Sequence, residues 1–347
     1  MKISKKILIC GGSGFMGSNF VRYLHNKYPN YYLANLDLLT YAGNKDNLSD
    51  LDSSKRYNFI HGDIGDSKLI NRVLKKYKFD VVINFAAESH VDRSIIDSSR
   101  FIDTNIKAAH VLLDAAHRRK VPRFVYISTD EIYGDVPLGV KTSESHPISP
   151  TNPYAASKAA ADVMVQAYIK THKTPALIIR SSNNFGPYQY PEKLIPVIIT
   201  SIIEGKKIPI HGDGKQIRSW VHVLDFCKAV DVMIHKAEDF KIYNINGEEK
   251  SNLEVIYLLA KTLGVKPEKY IKYINDRPYS DARYSPNSAK IKKELGWKCS
   301  ISFDNSLKDL VKWYLDNKGW WQKIKSQREF RNHYEKQFKG DFRLRNK

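Results

Sequence analysis

The chain has 347 residues, 42% of them hydrophobic, so it can bury a large core as two domains or as one domain with an elaborated lobe. Its three cysteines are widely spaced and fit neither a disulfide framework nor a metal-binding pattern, which predicts a reducing, cytoplasmic location and no metal. No apolar run is long enough to predict a signal peptide or a membrane-spanning helix.

The net charge of +19 favours an anionic partner, either an acidic small molecule or a nucleic acid. Much of the charge lies at the end of the chain, where Lys323 to Lys347 contain nine Lys or Arg and three acidic residues. This composition predicts a solvated, partly disordered basic tail. No recognition motif accompanies the charge, so a specific nucleic-acid partner is not expected.

Short apolar runs alternate with helical patterns through the first half of the chain. The predicted strands are Lys6–Cys10, Tyr32–Leu36, Tyr57–Ile60, Asp80–Asn84, Val125–Ser128 and Ala176–Arg180. This alternation predicts an α/β fold, with a Rossmann-type doubly wound parallel sheet and a smaller mixed α/β lobe. The predicted boundaries are 1–185 for the Rossmann domain, completed by 219–246, then 186–218 and 247–322 for the lobe, and 323–347 for the tail.

A glycine-rich loop follows the first strand directly. Gly11, Gly14 and Gly17 stand at three-residue spacing between a strand and a helix, where glycines let the backbone approach a pyrophosphate. Asp37 lies twenty residues after Gly17, at the end of the second strand. A carboxylate there accepts hydrogen bonds from a ribose 2′-hydroxyl and repels a 2′-phosphate, so the pattern predicts NAD in preference to NADP.

Further polar or small residues fall near the ends of later elements, where an open parallel sheet binds its ligands. They are Asp63, Ile64, Ala86, Ala87 and Thr104. Taken singly, each is better explained as a cap or a packing residue. Asn183 and Asn184 close the sixth strand, and a ligand or a turn explains buried amides there equally well.

The stretch after the fifth strand carries the candidate chemistry. Thr129, Asp130 and Glu131 stand in a row, and Tyr154 and Lys158 share one face of the next helix at i, i+4 spacing. A lysine beside a tyrosine can lower a phenol pKa that is otherwise about 10, so that the tyrosine acts as a base. A lone Tyr-x-x-x-Lys motif is weak evidence, and this one gains its weight from the residues before it.

These motifs resemble those of the extended short-chain dehydrogenase/reductases, and within them the nucleotide-sugar 4,6-dehydratases that act on dTDP-glucose or UDP-glucose. The resemblance covers the chain from Lys6 to about Trp321. It rests on the glycine loop, Leu36–Gly43, Ala86–Ser94, Ser128–Gly134, Asn152–Lys158, Asn183–Pro196, Gly212–Arg218, Asp276–Pro278, Asp281–Tyr284 and Glu294–Trp297. The Thr-Asp-Glu triplet is the most specific of these, because the related sugar epimerases lack the acid pair.

The resemblance implies a redox-neutral dehydration that yields a 4-keto-6-deoxy sugar. Tyr154 would take the proton of the sugar 4-hydroxyl, supported by Lys158, and Thr129 would hydrogen-bond the 4-oxygen. Hydride would pass from C4 to NAD and later return to C6. Glu131 would remove the C5 proton, and protonated Asp130 would give its proton to the departing 6-hydroxyl. Close carboxylates can hold opposite proton states because like charges push their pKa values apart.

The resemblance also assigns binding residues and an assembly. The cofactor set is Gly11, Gly14, Phe15, Met16, Gly17, Asp37, Thr40, Asp63, Ile64, Ala86, Ala87, Thr104, Tyr154, Lys158 and Asn184. The substrate set is Ser89, Thr129, Asn183, Lys193, Leu194, Arg218, Asn252 and Arg277. A homodimer formed through paired helices, including the helix after Tyr154, is expected.

Two departures from the bacterial dTDP-glucose pattern bear on the nucleobase. Ser219 stands where Asp is usual, and Tyr279-Ser280 replaces Gly-His. Both segments are similar to those of UDP-glucose 4,6-dehydratases, so the sequence predicts a UDP-glucose enzyme on a route to UDP-rhamnose, with dTDP-glucose as the alternative. A nucleotide-sugar 4-epimerase and a non-catalytic basic NAD- or nucleic-acid-binding protein remain as rival predictions.

Overall fold

The computed structural model describes residues 2–339, with side chains described up to Glu335. Its main sheet has seven parallel strands in the spatial order β10-β6-β5-β4-β1-β2-β3. The strands are β1 (Lys5–Cys10), β2 (Tyr31–Asp37), β3 (Tyr57–His61), β4 (Val81–Asn84), β5 (Arg123–Thr129), β6 (Ala176–Ser181) and β10 (Lys241–Ile245). This is the Rossmann-type sheet that the sequence predicted, and the fold class is confirmed.

Helices cover both faces of this sheet. They are α1 (Phe15–Lys27), α2 (Ser67–Tyr77), α3 (Val91–Ile96), α4 (Ser99–Phe101), which continues through a π-helical segment (Ile102–Ala108) into α5 (Ala109–Arg118), α6 (Pro153–His172) and α8 (Val223–Lys236). The strands are buried on both faces because α1 and α8 cover one apolar cluster and α2, α5 and α6 cover the other. Short 3₁₀ turns lie at Lys45–Leu51 and Asp130–Tyr133.

A smaller lobe lies beside the carboxyl ends of the strands. Its sheets pair β7 (Asn183–Phe185), β9 (Ile217–His222) and β11 (Glu248–Ser251), and separately β8 (Ile208–His211) with β12 (Ile271–Ile274). Its helices are α7 (Leu194–Ile203), α9 (Asn252–Thr262) and α11 (Phe303–Asp316). Helix α10 (Ala289–Leu295) packs instead on β10 and α8, and its Ile291 belongs to the apolar cluster under α1 and α8. A third cluster, including Phe185, Ile198 and Leu259, forms the core of this lobe. The domain boundaries given above stay a prediction.

The end of the chain differs from its prediction. The helices α12 (Lys318–Lys325) and α13 (Arg328–Lys339) fold back onto the protein, and Trp321, Ile324 and Phe330 are buried. A solvated tail is therefore wrong for the described part, because the apolar side chains of these helices outweigh the effect of their charge. The predicted tail residues 340–347 lie outside the described residues. Every described helix is too short or too polar to cross a membrane.

Candidate active site

The cleft lies at the point where the strand order reverses, between β1 and β4, as expected for ligands of an open parallel sheet. Two neighbouring cavities open there. The first is bordered by the glycine loop and by the residues that follow β5, and the second reaches into the smaller lobe. Ser89, Glu131, Asn183, Glu192 and Lys193 line both. One set of side chains therefore separates a cofactor compartment from a substrate compartment.

The glycine loop has the close packing that a dinucleotide site needs. Gly11 has a φ of +77°, and a Cβ there would lie 2.5 Å from the Ala86 backbone nitrogen. A Cβ on Gly17 would lie 2.2 Å from the Gly11 carbonyl oxygen. Gly14 caps α1 without a side-chain hydrogen bond, and the first turn of α1 contains no acidic residue. The helix N-terminus can therefore accept a phosphate, and these residues fit NAD.

Asp37 lies at the end of β2, where the adenosine ribose is expected. One of its carboxylate oxygens accepts a hydrogen bond from the Ser13 backbone N–H (2.9 Å) and the other from Leu39 N–H (2.8 Å). Burial raises its pKa, and these two hydrogen bonds oppose the shift. Thr40 and Thr104 line a further cavity on the same side, so the adenosine half of a dinucleotide has room beside them.

The remaining residues of the predicted cofactor set divide into two groups. Those that line the first cavity are Phe15, Met16, Ala87, Tyr154, Lys158 and Asn184. Ala86 contributes its backbone, which packs against Gly11. The structure does not bring Asp63 and Ile64 to the cavities described here, since Asp63 is exposed and accepts the Gly65 N–H (2.7 Å), while Ile64 packs in the core.

The five predicted catalytic residues converge on the first cavity. Thr129 is the last residue of β5, and the 3₁₀ turn after it carries Asp130 and Glu131. Tyr154 and Lys158 lie on the first turns of α6, which Asn152 caps by accepting the Ala155 N–H (2.9 Å). The strand end and the helix start therefore place two acids, a hydroxyl, a phenol and an amine around one space.

The two acids differ in their environments. Burial, followed by the charge of Glu131, raises the pKa of Asp130 well above its usual range, although Arg218 opposes this. Burial also raises the pKa of Glu131, but Arg218 and a hydrogen bond from Asn152 oppose the shift. The Oδ2 atom of Asp130 is buried and has no hydrogen-bond partner in the described chain. Of the two carboxyl groups, Asp130 is therefore the one that more readily stays protonated.

The tyrosine and lysine behave differently from the expectation that Lys158 lowers the Tyr154 pKa. Burial raises the pKa of Tyr154, the charge of Glu131 adds to this, and a hydrogen bond with Thr129 opposes it. Burial lowers the pKa of Lys158 to about 7. Its ammonium group donates to the Ile127 carbonyl oxygen (2.6 Å) and lies 4.4 Å from the centre of the Tyr126 ring. In this arrangement Tyr154 is protonated at neutral pH.

Most of the predicted substrate-binding residues line the second cavity, and several of them are positively charged side chains. Its lining includes Ser89, Asn183, Lys193, Leu194, Arg218, Asn252 and Arg277. The Arg218 guanidinium donates to the Asp281 carbonyl oxygen (3.0 Å) and lies 4.4 Å from the Tyr284 ring centre. Lys193 donates to the Ser89 carbonyl oxygen (2.7 Å), and Arg277 pairs with Asp92. These three positively charged side chains are fixed in position by their partners, and such groups are suited to binding a diphosphate.

Ser219 does not line this cavity, which corrects its proposed role in nucleobase selection. It is fully buried, and its hydroxyl accepts the Gly247 N–H (2.9 Å). Its neighbours in β9, Arg218 and Trp220, line the cavity instead, because successive side chains of a strand point to opposite faces. Tyr279 lines the cavity but is 57% exposed, so it offers a nucleobase an open contact.

One group of described residues has the composition of a metal site. A ligand atom from each of His90, Glu192 and His333 lies within 4.8 Å of the others. However, Arg93 already donates two hydrogen bonds to one Glu192 oxygen, and the positive charge of Lys193 adds to the burial that lowers the His90 pKa. These cations disfavour a metal, and the histidines pack edge to face with ring centres 4.7 Å apart. The expectation of no metal stays a prediction.

Several residues of the site were missed from the sequence. Tyr41 lines the first cavity and packs edge to face on Tyr190, and Arg93 lies 3.9 Å from the Tyr41 ring centre. Asn152 donates to Glu131 (3.4 Å) besides capping α6. An Asn before a Pro at a predicted helix start is a recognisable cap signal, whereas the Tyr41 contact depends on folding of distant segments.

Fold and site together define an enzyme of the dinucleotide-binding short-chain dehydrogenase/reductase class. A family model described as "GDP-mannose 4,6 dehydratase" matches residues 8–310. The chain belongs to this family of nucleotide-sugar 4,6-dehydratases, as its motifs predicted.

Individual relatives agree with this assignment. The chain is 42% identical to a dTDP-glucose 4,6-dehydratase of Salmonella typhimurium, over 92% of this chain and 96% of the relative. A dTDP-glucose 4,6-dehydratase of Streptomyces venezuelae, solved with NAD bound, is 42% identical with a TM-score of 0.89, over 92% of this chain and 99% of that one. A UDP-glucose 4-epimerase of Thermus thermophilus, also solved with NAD, is 26% identical with a TM-score of 0.83, over 90% of this chain and 99% of that one.

These relatives bear on two predictions. NAD is the cofactor in both solved structures, which agrees with the prediction from the glycine loop and Asp37. The dehydratases carry dTDP-glucose in their names, so the preference for UDP-glucose finds no support and the alternative is favoured.

Proposed function

We propose that this protein is an NAD-dependent hydro-lyase that converts dTDP-glucose to its 4-keto-6-deoxy derivative. The observation that carries the proposal is the buried Asp130–Glu131 pair, which faces the same cavity as Tyr154. An epimerase needs to remove and return hydride only at C4, and has no use for two further carboxyl groups there. Elimination of water needs both an acid and a base, and this pair can supply them.

The first step proposed is oxidation at C4. Tyr154 accepts the proton of the 4-hydroxyl, and Thr129 holds the 4-oxygen by a hydrogen bond. When bound between the glycine loop and these residues, NAD supplies the hydride acceptor for C4, the hydride donor for C6 and a positive charge beside Tyr154. Lys158, with a pKa of about 7, can pass protons on near neutral pH. The raised pKa of Tyr154 makes this added positive charge necessary for its work as a base.

The second step proposed is loss of water across C5 and C6. The new C4 ketone acidifies the C5 proton, which Glu131 removes. The electron pair forms the C5–C6 double bond and expels the 6-hydroxyl, which takes the proton of Asp130 and leaves as water. Hydride addition at C6 and proton return from Glu131 to C5 complete the product. The unequal environments of the two carboxyl groups support this division of roles.

The choice of dTDP over UDP is supported by the curated relatives, at 40–42% identity over about nine-tenths of the chain. The buried position of Ser219 supports it further, because one of the two reasons for UDP is removed. Arg218, Lys193 and Arg277 are proposed to hold the diphosphate. A site can discriminate the 5-methyl group by only about 1–3 kcal/mol, so measurable activity with UDP-glucose is expected.

The experiment compares kcat/KM for dTDP-glucose and UDP-glucose, with the product identified by mass spectrometry. We expect loss of water from both and a higher value for dTDP-glucose. Glu131→Gln should lower the rate by about 10²–10⁴-fold, whereas Glu268→Gln, at an exposed position, should leave it unchanged. A product of unchanged mass would favour an epimerase and overturn the proposal. A clear advantage for UDP-glucose would overturn the choice of nucleobase alone.

A homodimer in the cytoplasm remains part of the proposal. On α6, Val163 and Met164 are 50% and 40% exposed, which supports pairing of this helix with a second copy. Sedimentation of the purified protein tests it, and a monomer at micromolar concentration would contradict it.

A further inference from the structure

Within the described residues, the last two helices, α12 and α13, form a surface element that reaches the cofactor side of the cleft. We call residues Lys318–Lys339 the C-terminal clasp; they lie beyond residue 310, where the family match ends. Three of its side chains, Trp321, Ile324 and Phe330, are at most 3% exposed. Such burial stabilises the packing of the clasp on the protein, because nearly all the apolar surface of each side chain is removed from water.

The first contact of the clasp leads to the glycine loop. The Trp320 indole N–H donates to the Asn47 side-chain oxygen (2.8 Å), and Lys323 forms an ion pair with Asp46. The amide of Asn47 in turn donates to the Ser13 carbonyl oxygen (2.9 Å) within the glycine loop. Through Asn47, the clasp is therefore linked to the glycine-loop backbone, which is expected to bind the pyrophosphate.

The second contact leads to an apolar side of the first cavity. Phe330 packs on Tyr190 with ring centres 6.0 Å apart, and Tyr41 and Ala42 belong to the same apolar cluster. Tyr41, Ala42 and Tyr190 all line the first cavity. His333 packs on His90, which lines the second cavity. Displacement of Phe330 would therefore loosen the segment of Tyr41 and Ala42, which we call the covering loop of the cofactor compartment.

The third contact is polar and lies on the adenosine side. Gln327 and Glu329 line the same cavity as Thr40 and Thr104. Glu329 accepts a hydrogen bond from Arg93 (3.0 Å) and lies 3.7 Å from Arg100. Gly43 also lines this cavity, and a Cβ on Gly43 would lie 2.8 Å from an Asp37 carboxylate oxygen. A dinucleotide bound as predicted would therefore place its adenosine next to these two clasp residues.

We propose that the C-terminal clasp completes the NAD site, with Gln327 and Glu329 as further positioning residues on the adenosine side and Phe330 holding the covering loop. The proposal rests on the proposed function, because it takes NAD as the occupant of the first cavity. The clasp slows release of the cofactor. Slow release does not hinder turnover, because the proposed reaction regenerates NAD in each cycle.

The test measures the rate at which protein-bound NAD exchanges with labelled NAD, with no sugar present. Phe330→Ala should release NAD at least about tenfold faster, since changes of affinity within one site appear mainly in the release rate. Glu329→Gln, which loses two partly exposed ion pairs, should change the rate by about two- to threefold. Arg331→Ala, at an exposed position on the same helix, is the matched control and should exchange like the wild type.

The outcomes separate the two proposals. Wild-type exchange rates in both Phe330→Ala and Glu329→Gln would overturn the role of the clasp. Should Phe330→Ala fail to fold, Glu329→Gln and Gln327→Ala decide the matter by the same measurement. Tight NAD binding by the wild type with faster release in these variants supports the clasp. Failure of the wild type to bind NAD at all would instead refute the proposed function.

Discussion

Replacing Asp130 with Asn should make the protein more stable and the enzyme much slower. Asp130 is 2% exposed, and its burial and the charge of Glu131 raise its pKa well above the usual range. In the unfolded chain the same carboxyl ionises with a pKa of about 3.9, so wild-type folding at neutral pH takes up a proton. Asn is neutral in both states and avoids that cost.

The sign and the size of the change in stability follow from this difference in pKa between the folded and unfolded states. A group whose pKa is raised by folding costs nothing below its unfolded pKa, and the cost grows as pH rises toward the folded pKa. Protonating an ordinary carboxyl at pH 7 costs about 4 kcal/mol, which is the ceiling for the gain in Asp130→Asn. For 347 residues, each kcal/mol corresponds to roughly 1.5 °C in Tm, so the gain is limited to about 6 °C.

The assay records thermal unfolding of Asp130→Asn and wild type from pH 4 to pH 8, together with the rate of water loss at pH 7. We expect the Tm difference to vanish near pH 4 and to favour the variant increasingly at higher pH. Water loss should fall by about 10²–10⁴-fold, because the amide cannot donate the proton that the 6-hydroxyl needs. A variant that is less stable at pH 7 to 8 than at pH 4, relative to wild type, would refute the protonated state of Asp130.

Three further predictions follow from the site. Tyr154→Phe should block oxidation at C4 while NAD still binds; normal turnover in this variant would exclude Tyr154 as the base. Gly17→Ala should abolish NAD binding measured by calorimetry, because its Cβ would lie 2.2 Å from the Gly11 carbonyl oxygen, and unchanged affinity would contradict the loop geometry. Ser219→Ala should leave the ratio of kcat/KM for dTDP-glucose and UDP-glucose unchanged, and a shifted ratio would return Ser219 to nucleobase selection.

The fold was predictable because its signals are local. Each buried strand of the main sheet is a short apolar run, and the glycine loop follows β1 directly. The site was predictable where functional residues follow strand ends, as Thr129 and Asp37 do. Asp63 follows a strand end as well, but its side chain closes a local turn to Gly65, which sequence spacing cannot reveal.

The predictions that the structure corrects, for the end of the chain and for Ser219, concern features that depend on long-range packing. The charge of the last residues concealed an apolar pattern at helical spacing, Trp320, Trp321 and Ile324, followed by Phe330 and His333, which could have predicted two packed helices. The prediction for Ser219 is wrong, although its neighbours in β9 do line the substrate cavity. Strand alternation turns Ser219 to the opposite face, and only the position of β9 between β7 and β11 shows which face meets the ligand.

In the proposed mechanism, hydride removed at C4 returns to C6 of the same sugar, with water lost between the two steps. Incubating the enzyme with dTDP-glucose deuterated at C4, followed by mass and NMR spectra of the product, tests this most directly. We expect a product lighter by one water that keeps the deuterium, now at C6. Loss of the deuterium, or its retention at C4 in a product of unchanged mass, would refute this mechanism.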